Sequence, residues 1–167
     1  MPIIFKEELD FQTEDLTSMV EEKKKQFNDD QREVFDSIMR SVEKKEFTAV
    51  FIDARGGTGK TFILNAILAA TRVLEGGSIA LAVGATGIAA NLLQLGRTFH
   101  SRFKVPLNTN KESVCNINAN STLAKLICET RVIVWDEAPM SHRFQLEALD
   151  RTLRDVTGLD APLAGRS

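Results

Sequence analysis

One segment constrains the fold of this chain more than any other. A β-branched and aromatic run over residues 48–53 leads into a glycine-rich turn and then into a helical pattern. The turn, residues 54–61, reads Ala-Arg-Gly-Gly-Thr-Gly-Lys-Thr and matches a phosphate-binding loop in its last three positions, with alanine replacing the usual first glycine. Such loops join a buried strand to a helix, so the segment predicts an α/β fold.

The residue types of this loop suit an anion. Glycine lets the backbone curl until several N–H groups point at one phosphate, and the following helix adds the positive end of its dipole. Lys60 is expected to neutralise the β- and γ-phosphates, and the Thr61 hydroxyl to hold Mg²⁺. The alternative is a flexible glycine turn without a ligand. The predicted ATP-binding residues of the loop are Gly56, Gly57, Thr58, Gly59, Lys60 and Thr61.

An acidic pair, Asp136-Glu137, follows the hydrophobic run over residues 131–135. In open α/β folds the ligands bind at the carboxyl ends of the strands, where both carboxylates would lie. Asp136 would hold Mg²⁺ through its water shell, and Glu137 would orient and deprotonate an attacking water. The pair favours hydrolysis by Lys60, Asp136 and Glu137. The alternative is that it only caps the next helix.

The remaining pattern alternates strands with helices, which predicts a parallel sheet with helices on both faces. We predict helices over 9–25, after a cap at Asn28, over 61–74 ending near Gly76, and over 142–156. Strands are predicted over 48–53, 78–83 and 131–135, and a polar loop over 106–121. The apolar stretch 79–95 is interrupted by glycine and polar residues, so it indicates a buried strand leading into a helix rather than a membrane span.

The composition is that of an ordinary soluble domain. The 167 residues can bury one core, and 43% are apolar while 26% are charged. The formal net charge of −2 gives no overall attraction to nucleic acid, so any DNA contact needs a local basic surface. Cys115 and Cys128 match no zinc pattern, which favours buried thiols in a reducing compartment.

Four motifs, in this order, resemble the Pif1-like DNA helicases of superfamily one, which move five-prime to three-prime on single strands. They are residues 59–61, 86–90, 96–101 and 136–140. The last motif, with residues 148–155 after it, is especially similar to members found with Helitron-type transposons. The likeness covers most of residues 27–156 and implies a RecA-like P-loop motor domain.

The resemblance assigns an adenine-reading role to Gln31. A capping box between Asn28 and Gln31 is the structural alternative. The resemblance also implies a surface for single-stranded DNA, and the stretch 97–104 suits one because it interleaves basic groups with aromatic rings. The alternative places its phenylalanines in the core, gives His100 a structural role, and makes residues 86–90 a helix start packed on the sheet. The predicted DNA contacts are Thr86, Gly87, Arg97, Phe99, His100 and Ser101.

Three parts of the chain follow from this resemblance: a charged helical segment (1–27), a partial first motor domain (28–158) and a tail (159–167). In related ATPases a sensor strand inserts between the phosphate-loop strand and the Asp-Glu strand, and nothing after Gly158 resembles it. A second motor domain with its arginine fingers is also missing from this sequence. We therefore expect incomplete pairing in the sheet, marginal stability, weak to moderate nucleotide binding and no unwinding by the chain alone.

The sequence departs from the family pattern at two further places. Ala54-Arg55 replaces a usual Gly-Pro, and Leu95 stands where a second glycine commonly precedes residues 96–98. Two rival functions remain open: a P-loop kinase, and an inactive transposon-derived fragment that binds nucleotide or a partner. The resemblance implies genome maintenance, including DNA recombination, repair and telomere maintenance, in the nucleus or mitochondrion.

Overall fold

The computed structural model describes residues 1–74 and 77–159. These residues form eight α-helices, three strands and one short 3-10 helix. The helices are α1 (Ile3–Leu9), α2 (Thr13–Gln26), α3 (Asp29–Glu43), α4 (Lys60–Arg72), α5 (Gly87–Leu92), α6 (Phe99–Phe103), α7 (Thr122–Glu129) and α8 (Arg143–Thr157). The strands are β1 (Ile79–Gly84), β2 (Arg97–Thr98) and β3 (Thr130–Asp136), and the 3-10 helix is Ala138–Met140.

The sheet is parallel and has the order β2-β1-β3. β1 pairs with β3 along its whole length, and Gly84 stands opposite Asp136 at the carboxyl end. Beyond that pair, the Ala85 amide donates to the Asp136 carbonyl at 3.2 Å. The ends of β1 and β3 are therefore fixed side by side, directly before the Asp-Glu pair.

Helices cover both faces of this sheet, as the alternation of side chains along β1 requires. Ala80 and Ala82 point into a cluster formed with α2, α3 and α4. Ile79, Leu81 and Val83 point into a second cluster with residues of α1, α6, α7 and α8. The small alanines let α4 approach the sheet closely, while the larger side chains fill the opposite face. The predicted α/β architecture is confirmed.

The predicted strand over residues 48–53 is not formed. This segment has no helix or strand, and no backbone hydrogen bond to another described segment is found for it. Its apolar side chains are open to solvent: Phe51 is 72% exposed and Val50 is 55% exposed. A strand is stabilised by backbone pairing and burial against neighbours, and no strand of the described residues pairs with this run. This agrees with the expected incomplete pairing.

Other expected elements are present with small shifts at their ends. α2, α3, α4, α8, β1 and β3 appear, the stretch 79–95 divides into β1 and α5, and the loop 106–121 holds no helix or strand. Gly76 and residues 160–167 of the expected tail lie outside the described residues. No helix among the described residues has the length and hydrophobicity to cross a membrane. Cys115 is buried as expected, whereas Cys128 is exposed, and both thiols are free.

The turn after α5 explains the Leu95-Gly96 pair. Leu95 adopts a left-handed backbone, φ 56°, which is the conformation that glycine provides without strain. A Cβ on Gly96 would lie 2.0 Å from the Ala90 carbonyl oxygen. Glycine is therefore required at position 96, whereas position 95 keeps the turn with a leucine.

Candidate functional site

The phosphate loop joins the unpaired segment to α4, which begins at Lys60, one residue before the predicted start. Gly57 and Gly59 have φ values of 77° and 86°, in the left-handed region that favours glycine. The loop is largely exposed, and α4 behind it is buried in the core. The glycines thus turn the backbone ahead of a firmly packed helix N-terminus, which is the arrangement that binds phosphate.

Side chains hold this loop through its own carbonyl groups. The Lys60 ammonium donates to the Ala54 carbonyl. The Thr58 hydroxyl donates to the Arg55 carbonyl at 2.7 Å. Lys60 therefore lies over the start of the loop, which was predicted to bind the phosphates that Lys60 would neutralise.

Gln31 makes the capping box that was the structural alternative to adenine contact. Its backbone N–H donates to the Asn28 side chain at 2.8 Å, and its side-chain oxygen accepts from the Asn28 amide at 3.1 Å. The remaining amide group donates to the Thr58 carbonyl at 3.1 Å. A Cβ on Gly59 would lie 2.8 Å from this Gln31 nitrogen. Gln31 thus ties α3 to the loop, and its contact with adenine stays a prediction.

The loop and the acidic pair meet across 75 residues of sequence. The Thr61 hydroxyl donates to Oδ2 of Asp136 at 3.0 Å, and the Glu137 amide donates to Oδ1 at 2.9 Å. Asp136 is buried, so its carboxylate is held between two donors. The structure therefore brings together the two residues that were predicted to hold Mg²⁺. Hydroxyl and carboxylate oxygens are ligands that Mg²⁺ prefers.

Glu137 is exposed and contacts a residue of the predicted DNA surface. Its backbone is left-handed, φ 57°, and its Oε2 accepts a hydrogen bond from the Thr86 hydroxyl at 3.2 Å. The Thr86 oxygen in turn accepts from the Ala89 amide at 3.1 Å and caps α5. One hydroxyl therefore joins the candidate catalytic carboxylate to the start of α5.

The predicted DNA contacts divide into exposed and buried groups. Gly87, Arg97 and Ser101 are exposed, near the ends of β1 and β2. The Ser101 amide donates to the Thr98 hydroxyl at 3.3 Å. Arg97 pairs with Glu7 of α1, with 2.6 Å between Nη2 and Oε2. These three residues are accessible from solvent.

Phe99 and His100 follow the structural alternative. Phe99 is 1% exposed, and its ring stacks on Trp135 with 4.0 Å between centroids, so it is not open to a base. His100 Nδ1 lies 3.5 Å from the Val105 carbonyl, and Nε2 lies 3.3 Å from the Gln145 side-chain nitrogen. A neutral ring with its proton on Nδ1 satisfies both contacts. The two rings therefore brace α6 against β3 and α8.

A buried ion pair between α6 and α1 was not predicted from the sequence. Arg102 of α6 contacts Glu8 of α1, with 2.5 Å between Nη2 and Oε1 and side-chain exposures of 1% and 2%. Burial lowers the pKa of Arg102, and the Glu8 charge opposes that shift. Arg72, also buried, donates to the carbonyls of Ala80 and Gln94. Partners 94 residues apart leave no local pattern that could have revealed the Glu8 contact.

A family model described as PIF1-like helicase matches residues 26–166. One solved structure concerns DNA unwinding at forked double-stranded DNA by two coordinating Pif1 helicases; it has 24% identity and a TM-score of 0.65 over 83% of this chain. A Pif1 helicase double mutant from Bacteroides has 26% identity and a TM-score of 0.61 over 78% of this chain. The chain spans 31% and 29% of those two chains. No curated protein gives a significant match.

Proposed function

Because the chain belongs to the PIF1-like helicase family, we propose that it binds ATP with Mg²⁺ at residues 54–61 and contributes to ATP-driven movement along single-stranded DNA. The observation that carries the proposal is the 3.0 Å contact between the Thr61 hydroxyl and the Asp136 carboxylate. It joins the phosphate loop to the acidic pair, as a hydrolytic nucleotide site requires.

The donor set at this contact fits a magnesium ion. Thr61 and Asp136 supply oxygen atoms, and the Glu137 amide keeps the Asp136 carboxylate oriented. Mg²⁺ usually takes one or two protein oxygens and keeps water and phosphate as its other ligands. When bound, it would neutralise charge on the phosphates during transfer.

The residues of the chain then have separate tasks in the proposed reaction. The loop amides and the start of α4 bind phosphate oxygens, while Lys60 exchanges the Ala54 carbonyl for the β- and γ-phosphates. Glu137 orients the attacking water and accepts its proton, after the Thr86 hydroxyl has turned away. Gln31 contacts the adenine with the amide that now reaches the Thr58 carbonyl.

The proposed DNA surface comprises the exposed members of the predicted set. Thr86 and Gly87 lie at the start of α5, where backbone N–H groups suit phosphate oxygens. Arg97 supplies positive charge, and Ser101 adds a hydroxyl. Phe99 is left out because its ring is buried.

Binding of a fluorescent ATP analogue with Mg²⁺ tests the nucleotide site. Lys60→Ala should weaken binding by about tenfold or more, the size of a lost hydrogen bond to a charged group. Lys125→Ala is the matched control, because Lys125 is an exposed lysine of α7, outside the loop. Equal affinity for the wild type and Lys60→Ala would overturn the proposed site.

Phosphate release in the presence of oligo(dT) tests hydrolysis. Glu137→Gln should retain analogue binding and lose DNA-stimulated release. Binding without any release from the wild-type chain would favour the inactive fragment. Phosphorylation of a small acceptor would favour a kinase, a function that the family match does not support.

A further inference from the structure

We propose that α1 competes with single-stranded DNA for Arg97, with the Glu7 carboxylate standing where a DNA phosphate would bind. This inference rests on the proposed function, because it takes Arg97 as a DNA contact. It adds a regulatory element to that surface: the affinity for DNA is set by an acidic helix of the same chain.

The contact between Glu7 and Arg97 has the chemistry of a phosphate contact. Oε2 of Glu7 lies 2.6 Å from Nη2 of Arg97. Carboxylate and phosphate present similar oxygen acceptors to a guanidinium fork, so one can replace the other. The two side chains remain 47% and 44% exposed. A pair this open to solvent is weak and salt-sensitive, which lets an incoming phosphate displace the carboxylate.

The neighbouring residue keeps the competitor in place. Glu8 pairs with Arg102 in a buried contact of 2.5 Å. Separating a buried pair leaves charge without compensation, so this contact resists opening far more than the exposed one. Phe5 of the same helix is buried in the core cluster with Phe99 and Phe103. α1 therefore stays packed against the domain when the Glu7 carboxylate leaves Arg97, and Glu7 keeps a high effective concentration next to Arg97.

The positions of these residues along the chain support a regulatory role for α1. Arg97 and Arg102 fall inside the residues matched by the family model, whereas Glu7 and Glu8 precede them. Two adjacent acids of one helix thus take two arginines of the matched domain, one on β2 and one on α6. The exposed Glu7–Arg97 pair can be replaced by a phosphate contact, whereas the buried Glu8–Arg102 pair keeps α1 in place.

Fluorescence anisotropy with a labelled oligo(dT) tests the competition. Glu7→Gln removes the competing charge and leaves the Glu8 anchor, so DNA affinity should rise about two- to fivefold, the size of a half-exposed ion pair. The gain should shrink as the salt concentration rises, because salt screens the exposed Glu7–Arg97 pair that competes with DNA in the wild type. Melting temperatures of both proteins check that α1 stays docked.

Glu33→Gln is the matched control. Glu33 is exposed on α3, which packs on the other face of the sheet, and the substitution changes the net charge equally. An equal gain from Glu33→Gln and Glu7→Gln would reduce the effect to net charge and overturn the competition. So would a Glu7→Gln gain that persists in the Glu7→Gln/Arg97→Gln double variant.

Arg97→Gln separates this inference from the proposed function. Weaker oligo(dT) binding by Arg97→Gln, together with unchanged binding by Glu7→Gln, would retain the DNA surface and overturn the role of α1. Unchanged binding by Arg97→Gln would remove Arg97 from the DNA surface, and absence of binding by every variant would overturn the surface itself. Either result also overturns the competition.

Discussion

The two halves of the candidate nucleotide site are held in different ways. The loop half, residues 46–61, has no strand pairing among the described residues and is anchored by the rest of α4 and by the Gln31 amide. The sheet half, β1 with the end of β3, is paired along its length and ends at the buried Asp136. One half of the site is therefore rigid before any ligand binds, while the other depends on a few side-chain contacts.

This difference separates chemical identity from structural support. The loop half has the glycines, lysine and threonine that phosphate binding requires, and the left-handed turns are formed. Among the described residues, no strand pairs with the backbone leading into it. In the proposed function, phosphate binding has to provide part of the order that the sheet provides for Asp136, and this requirement lowers the net affinity.

The largest difference between the halves is expected in amide hydrogen exchange. The β1 amides are bonded within a buried sheet and should exchange only by global unfolding, which costs about 5–15 kcal/mol in typical domains. Amides of residues 47–53 should exchange close to the free-chain rate. Mass spectrometry of peptic fragments measures both, and equal protection would show that the loop half has pairing partners.

Truncation of apolar side chains should give the next largest contrast. Leu81→Ala removes a fully buried side chain of β1 and should lower the free energy of unfolding by about 2–5 kcal/mol. Phe51→Ala, although it removes more atoms, should change it by no more than about 0.5 kcal/mol, because the ring is exposed. Urea denaturation compares the two variants. A large loss from Phe51→Ala would mean that the ring is packed.

Adding a methyl group should distinguish the halves in the same direction. A Cβ on Gly84 would lie 2.4 Å from the Ala90 nitrogen and 2.8 Å from the Ala89 carbonyl carbon, both backbone atoms of α5. Gly84→Ala should therefore cost about 1–3 kcal/mol. Gly56 has open space around it, and Gly56→Ala should stay within about 0.5 kcal/mol. Thermal melts measure the stability of both variants, and similar losses of stability in the two would contradict the difference between the halves.

The smallest effect should come from the contact between the halves. Thr61→Val keeps the shape of the side chain and removes the hydrogen bond to Asp136, at a cost of about 1 kcal/mol. Thr61→Ser retains the hydroxyl and serves as the control. Guanidinium denaturation measures both, and a Thr61→Val chain as stable as the wild type would mean that the contact adds nothing to the union of the halves.

Elements with a strong local signal were predictable from the sequence. α3 and α8 combine helical periodicity with capping boxes at Asn28 and His142. β1 and β3 are continuous apolar runs, and the loop motif places α4. The proximity of Thr61 to Asp136 also followed from the sequence, which assigned both residues to one magnesium site.

Features that depend on distant partners were not predictable. Residues 48–53 have strand propensity, but a local pattern cannot say whether another strand is present to pair with them. β2 has two residues and α6 five, too few for periodicity. α7 is a different case: it was not predicted although a local signal exists, since Ser121 caps a helix with Leu123, Leu126 and Ile127 at helical spacing. The burial of Phe99 depends on Trp135, which lies 36 positions away in the sequence.

The contact between Glu8 and Arg102 also bears on the order in which the chain folds. Its partners are 94 residues apart, so α1 leaves the ribosome long before Arg102 has been made. Glu8 alone gains nothing from entering the core, because an unpaired buried carboxylate costs free energy. Docking of α1 therefore awaits β1 and α6, although α1 is synthesised well before both of them.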